Sequence, residues 1–248
     1  FYPVFAAVTG TQAMPIHLRP DFSIDPADYA GLDASIVIAN PNAPTGLALT
    51  LPQIESILQA DPDRLVIIDE AYVDFGTQSC VALTARYDNL LVTQTFSKSR
   101  SLAGARLGFA IGDPALIADL NTVRNSVNPY NVNRMTQAAG IAAIRENDYF
   151  MGCCQTIRKN RTDTIVQLRA MGFTVLESQA NFVFARCDAM PGAALYAALR
   201  RRGVLVRHFD TPALTDWLRI TIGTQDQMAA LLHTIAAILK EECPHANC

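Results

Sequence analysis

Lys98 closes Thr95-Phe96-Ser97-Lys98, at the end of the apolar run Leu90-Leu91-Val92-Thr93. Arg106 follows eight positions later, inside Ala103-Gly104-Ala105-Arg106-Leu107-Gly108-Phe109. A lysine amine can form a Schiff base with a carbonyl, while a serine hydroxyl and a guanidinium can grip a phosphate. Pyridoxal 5'-phosphate (PLP) carries both groups in one molecule. Two other clusters suit the same cofactor: Asn40-Pro41-Asn42-Ala43-Pro44-Thr45-Gly46 and Asp69-Glu70-Ala71-Tyr72. PLP withdraws electrons only while its ring nitrogen stays protonated, and a fixed carboxylate such as Asp69 favours that form. Tyr72 and Asn42 are candidates to bond the ring oxygen. Lys98, once released as a free amine, is placed to move a proton at the substrate's α-carbon.

These clusters need a scaffold that brings strand ends together. Ser35–Ala39, Leu65–Ile68 and Leu90–Thr95 read as strands, with a helix over Pro52–Gln59 capped by Thr50. Their apolar runs are continuous, which predicts strands covered on both faces. Alternation of strand and helix predicts an α/β fold whose ligand lies beyond the carboxyl ends of the strands. Leu107–Ile111 is a fourth strand. The stretch after Lys98 is too short for a helical crossover, so this strand should run antiparallel and hold Arg106 on the Lys98 edge. Helices are expected over Leu116–Val123, Met135–Arg145 and Tyr149–Met171. Strands Phe173–Leu176, Asn181–Arg186, Val204–Arg207 and Trp217–Ile222 then mix with helices Ala193–Arg201 and Met228–Lys240, the latter opened by a Thr224/Gln227 capping box. A boundary is expected near Asp148, dividing a large domain over 1–147 from a smaller α+β domain over 148–248. Phe1-Tyr2-Pro3 offers neither an initiator methionine nor the start of a helix or strand, so the chain is expected to begin inside a domain.

Composition narrows the function. The chain has 248 residues, a net charge of −3 and half its residues apolar, so nucleic acid is not expected as a partner. No run reaches membrane-spanning length, and no secretory segment opens the chain. Cys80, Cys153, Cys154, Cys187, Cys243 and Cys248 form no C-x-x-C pair and read as reduced thiols of a cytoplasmic protein. His17, His208, His233 and His245 are scattered, so no metal site is expected. Leu65–Glu70 also matches the strand and acid pair that hold magnesium in P-loop ATPases, but G-x-x-x-x-G-K-S/T is absent from the sequence. The proline-rich turn could be a plain loop and the Ser-Lys pair surface decoration, but three clusters in order at three strand ends argue against coincidence. Arg219, within Trp217-Leu218-Arg219-Ile220-Thr221, needs a partner to offset its desolvation. That partner is either a substrate anion or a protein carboxylate, and the pattern alone favours the carboxylate. Arg207 is a weaker case of the same kind.

Asn40–Gly46, Asp69–Tyr72, Thr95–Phe109 and Trp217–Thr224 together resemble the class I/II aminotransferases of fold type I, nearest their histidinol-phosphate branch. The quoted matches are Asp-Glu-Ala-Tyr, Ser-Lys with Leu102-Ala103-Gly104-x-Arg106-x-Gly108, and Leu218-Arg219-Ile220-Thr221-x-Gly223-Thr224. The resemblance implies a mostly parallel PLP-binding domain with one antiparallel strand, and a small C-terminal domain. It implies that Lys98 carries the cofactor, Asp69 pairs with the ring nitrogen, and Tyr72 reaches the ring oxygen. Ser97, Arg106 and Thr95 would hold the phosphate, and Phe5 would stack on the ring. Arg219 would grip an acid group of the substrate, with Arg207 and Asn181 lining the site; for Arg219 this reverses the weight toward a substrate anion.

The implied reaction transfers an amino group between histidinol phosphate and 2-oxoglutarate, giving imidazole acetol phosphate and glutamate in histidine biosynthesis. A homodimer with a shared active site is implied as well. A PLP decarboxylase acting on O-phosphothreonine, an aromatic amino acid aminotransferase and a non-catalytic sensor domain share the same scaffold. Three departures stand out. Ala43 fills the slot of a cofactor-contacting asparagine, for which Asn42 is the available substitute. Arg100 fills a slot that is commonly aromatic. A segment ahead of Phe1, which in relatives supplies a glycine-rich phosphate loop and an intersubunit tyrosine, is expected to be missing.

Overall fold

The computed structural model describes residues 2–242, so Cys243, His245 and Cys248 lie outside the described residues. The chain opens with helix α1 (Tyr2–Thr9), where the first residues had promised no element. Pro3 sits in its first turn, where a missing N–H leaves no bond unmade. The first sheet has the order β1 (Ile36–Ala39), β2 (Val66–Asp69), β3 (Leu90–Thr95), β4 (Gly108–Gly112). β1, β2 and β3 are parallel, and β4 runs antiparallel to β3, as the short connection required. Helix α2 (Leu51–Gln59) joins β1 to β2. Its start is fixed by Gln53 Oε1, which accepts from both the N–H and the hydroxyl of Thr50 at 2.9 Å. Ile54, Ile57 and Leu58 of α2 then pack on Ile36, Ile38, Val66, Ile68, Leu90 and Val92.

Cover on both faces does not hold for β1 and β2. β1 and β2 bury alternate side chains only, and Val37 is 41% exposed. Helices α3 (Pro114–Val127) and α4 (Arg134–Arg145) follow β4, and α3 buries none of its side chains.

Helix α5 (Asn147–Ala170) leads to a second sheet of order β5 (Phe173–Val175), β6 (Phe182–Cys187), β8 (Trp217–Thr221), β7 (Arg207–His208), antiparallel throughout. Val183, Ala185, Leu218 and Ile220 face a core shared with α5, α6 (Gly192–Arg201) and α7 (Gln225–Glu242). The strand expected at Val204 starts only at Arg207. Gly203, at φ +79°, donates to Arg200 O, and Val204 N–H donates to Leu199 O. This Schellman ending uses the intervening residues to leave α6. The Thr224/Gln227 capping box forms as expected, at 2.9 and 3.3 Å. A small cluster of Phe75, Phe150 and Cys154 shares its neighbour Ile157 with the core of the second sheet. No helix among the described residues is long and apolar enough to cross a membrane.

Candidate active site

Parallel pairing brings the ends of β1, β2 and β3 to one edge, where the ladder bonds run on from Asn40 N–H to Asp69 O and from Glu70 N–H to Thr93 O. The β1 turn is locked by its own side chains. Buried Asn40 accepts from Leu49 N–H at 2.7 Å, and Thr45 donates to Asn42 Oδ1 at 3.0 Å. Asn42 is thus held within its own loop, and Ala43 is exposed. At Gly46, φ +77°, an added Cβ would overlap Ser178, and Gln179 N–H donates to Gly46 O at 2.8 Å. Only a glycine meets both demands.

Asp69 and Glu70 point to opposite sides, as neighbours on a strand must. Glu70 is buried and fully matched: it accepts from Ser79 Oγ (2.7 Å), Cys80 N–H (2.6 Å) and Gln94 Nε2 (2.8 Å). It cannot share a magnesium ion with Asp69, and no cluster of metal-ligating groups occurs among the described residues. Asp69 faces the open edge, accepting from Ala71 N–H at 3.0 Å and from the Tyr2 hydroxyl at 2.5 Å. Burial, then the bond and charge of Asp69, push the Tyr2 phenol well above its ordinary range. Sequence reasoning missed Tyr2, because nothing local marks a tyrosine that meets a carboxylate 67 residues away. Phe5 lies one turn along α1 and is 55% exposed.

Tyr72 opens a short 3₁₀ turn over Val73–Phe75. The exposed Lys98 ammonium lies 5.3 Å from the Tyr72 ring centre, and Tyr72 meets the Phe182 ring edge-on at 5.1 Å. The guanidinium of Arg219 lies 5.1 Å from the same Phe182 ring. One aromatic pair therefore links Lys98, in the connection after β3, to Arg219 of the second sheet. Asn181 immediately precedes Phe182, and its carbonyl accepts from Ile222 N–H at 2.9 Å. Arg207 stands directly across from Arg219 on β7, its guanidinium 5.4 Å from the Phe209 ring. Among the described residues, no carboxylate lies within 4.0 Å of either guanidinium.

The β3–β4 connection carries the remaining candidates. Thr95 Oγ1 accepts from Ser97 N–H at 3.0 Å and donates to Leu107 O at 3.4 Å. Arg106 takes a left-handed backbone at φ +53°, and one of its nitrogens donates to Ala103 O at 2.8 Å. Ser101 is left-handed too, at φ +56°. Two such residues in one short connection are a strained arrangement of the kind that collects at ligand sites. Ser99 donates to Asp74 at 2.5 Å, tying this connection to the Tyr72 turn. Arg100 stacks 3.8 Å above the Phe150 ring and donates to Ala143 O at 2.5 Å, which makes it a packing residue.

Three parallel strands closed by one antiparallel strand, with amine, carboxylate and phenol at one edge, define the architecture of fold type I PLP-dependent transferases. The profile of the family "aminotransferase class I and II" matches residues 1–235. The chain belongs to that family. It is 48% identical over 235 residues to a histidinol-phosphate aminotransferase of Acinetobacter baumannii, covering 95% of this chain and 65% of that protein. It therefore spans slightly less than two thirds of the length of that relative. In structure it is similar to the histidinol-phosphate aminotransferase of Clostridium acetobutylicum, with a TM-score of 0.89, 24% identity, and 97% and 75% of the two chains covered. A similar match is the histidinol-phosphate aminotransferase of Sinorhizobium meliloti in complex with pyridoxal-5'-phosphate: TM-score 0.82, 24% identity, 96% and 68% covered.

Proposed function

We propose that the protein is a PLP-dependent aminotransferase that converts histidinol phosphate and 2-oxoglutarate to imidazole acetol phosphate and glutamate. The observation that carries this reading is the shared edge of Lys98, Tyr72 and Asp69, joined through Phe182 to an arginine with no acid partner among the described residues. The name and identity of the Acinetobacter relative support the choice of substrate.

The residues present fit the cofactor by chemical type. Lys98 would tether it, Asp69 would face its ring nitrogen, and Tyr72 would face its ring oxygen. Thr95, Ser97 and Arg106 would hold its phosphate; Arg106 is exposed and spends one nitrogen on Ala103. PLP supplies an electron sink that stabilises negative charge at the substrate's α-carbon. The protein's own tasks are then positional and protonic. Lys98 Nζ accepts a proton from that carbon and returns one to the neighbouring position. Asp69 keeps a proton on the ring nitrogen through its negative charge. Arg219, with Arg207 opposite, receives the anionic end of either substrate, so that two different substrates present the same carbon to Lys98. Asn181 and Asn42 line the site, and Phe5 is proposed to flank the ring.

We further propose a homodimer in the cytoplasm, with division into a large domain (1–147) and a small domain (148–248). Supporting association, Val123, Val127, Tyr130 and Met135 on and beside α3 and α4 are 61–89% exposed.

The test mixes the purified full protein with PLP and a panel of amino donors while the visible cofactor band is followed. Lys98→Ala should abolish transamination while the phosphate grip still retains cofactor. Wild-type turnover in that variant would overturn the assignment, and release of carbon dioxide from O-phosphothreonine would replace the reaction.

A further inference from the structure

Helix α5 touches both halves of the candidate site through three polar side chains on main-chain carbonyls. Arg158 donates to Asp74 O at 2.7 Å, and Asn160 to Gly223 O at 2.9 Å. Arg161 donates through one nitrogen to two carbonyls, Phe75 O at 2.9 Å and Ala180 O at 2.6 Å. Those carbonyls lie on segments that flank different sheets, one after β2 and one before β6. Phe75 ends the 3₁₀ turn that Tyr72 opens, and Ala180 precedes Asn181 and Phe182 at the start of β6. Arg161 is 8% exposed and, among the described residues, has no carboxylate within 4.0 Å. Its hydrogen bonds go to carbonyl dipoles, and the Glu177 charge acts on it only from beyond 4.0 Å, a costly arrangement if its only task were to fill space. A third observation marks the same junction. A Cβ on Gly76 would lie 2.5 Å from Gln179 Oε1 and 3.0 Å from Arg161, so the two segments meet with no room for a side chain.

We infer that Arg161 is a positioning residue whose bridge between the Phe75 and Ala180 carbonyls holds the Tyr72 turn in register with the Asn181-Phe182 strand start. This rests on the proposed function for its catalytic consequence and on geometry for the rest. Tyr72 and Phe182 touch edge to face, so a shift of either segment moves the phenol relative to Lys98 and the Arg219 guanidinium relative to both. Misplacement on the ångström scale costs on the order of a hundredfold in rate.

The test compares the full wild-type protein with Arg161→Met, Arg161→Lys and Arg158→Met. Hydrogen exchange without added cofactor should speed up at both 72–76 and 178–182 in Arg161→Met, with the rest of α5 protected as in wild type. Arg158→Met, which frees only Asp74 O, should loosen the first segment alone. With cofactor, Arg161→Met should lower kcat by about ten- to a hundredfold with a smaller change in KM. It should also displace the pH titration of the visible band, and Arg161→Lys should recover part of both effects. If Arg161→Met does not fold, Arg161→Lys must still loosen both segments together. Wild-type exchange at either segment in the Arg161 variants overturns the inference. A wild-type protein without a cofactor band would instead defeat the proposed function, leaving the exchange experiment to decide on Arg161.

Discussion

Replacing Gly46 by alanine should weaken the contact that joins the β1 turn to the second sheet. A residue with a Cβ at φ +77° pays about 1–2 kcal/mol for its left-handed backbone. The added methyl would also lie 2.2 Å from Ser178 Oγ and 2.7 Å from Ser178 Cβ. Ser178 has little freedom to retreat. It is 3% exposed, donates to Phe182 O at 2.5 Å and accepts from Ala180 N–H at 3.1 Å. Giving up those bonds in a buried setting costs roughly 1–3 kcal/mol. Gly46→Ala should therefore destabilise by about 2–5 kcal/mol, lowering Tm by roughly 4–20 °C for a chain of this size. A double-mutant cycle separates the two causes. Ser178→Ala would leave its Cβ in the way, whereas Ser178→Gly leaves only a Cα at 3.1 Å. In the Ser178→Gly background, Gly46→Ala should cost only its backbone share of about 1–2 kcal/mol. Urea unfolding of the four proteins measures the cycle. An equal cost in both backgrounds would refute the steric argument.

Asp69→Asn should let the Tyr2 phenol titrate at lower pH than in the wild type, because burial remains while the carboxylate's bond and charge are removed. The ultraviolet phenolate band reads this directly, and an unchanged titration contradicts the contact. Arg219→Met should leave stability unchanged or raise it by about 0.2–1 kcal/mol, since it removes a like charge directly across from Arg207. The same change should raise KM for the amino donor by about ten- to a hundredfold, the worth of a lost charged hydrogen bond. Cys154 is fully buried, and its thiol is pushed up to about 11 by burial first and then by Asp74. Near neutral pH it should react with alkylating reagents far more slowly than the half-buried Cys153, as mass mapping of labelled peptides would record. A thiol raised on folding stabilises the protein below the unfolded value of 9.0, and this contribution is lost as pH rises through about 11. Alkaline unfolding curves should steepen in that window and flatten in Cys154→Ala.

The strand-end clusters were legible because polar residues interrupt apolar runs at the points where parallel strands must end. β3 keeps its expected limits at Leu90 and Thr95, and β4 is antiparallel because its connection is short. The Thr50 cap and the Thr224/Gln227 capping box were legible because they are local. What escaped was non-local. Continuous apolar runs in β1 and β2 predicted cover on both faces, yet what covers a face is decided by other parts of the fold, and Val37 is exposed here. The start at Tyr2 looked structureless because the Tyr2–Asp69 bond that anchors α1 joins distant residues. Within α5, nothing in the sequence singles out Arg158 or Arg161. Their carbonyl partners in the Tyr72 turn lie 84 and 86 residues away and leave no periodic trace.

Asp69 and Glu70 show how one strand end serves fold and chemistry at once. Pleating sends the two carboxylates to opposite sides, so adjacent residues of the same chemical type meet different surroundings. Glu70 is 1% exposed and takes three hydrogen bonds from Ser79, Cys80 and Gln94, which fasten the following segment to β2 and β3. Asp69 is left with one tyrosine hydroxyl and one local N–H at an open edge. The same division recurs around it. Arg161 spends its donors on carbonyls, whereas Arg219 and Arg207 stand opposite each other with no carboxylate within 4.0 Å among the described residues. Arg106 and Ser101 hold strained backbones on that edge while the capped helices nearby are relaxed. Stability is forgone at the groups that face one another across the Tyr72–Phe182 contact and secured at the groups behind them. That distribution is what a site needs if it must hold two different anionic substrates in turn without collapsing on itself.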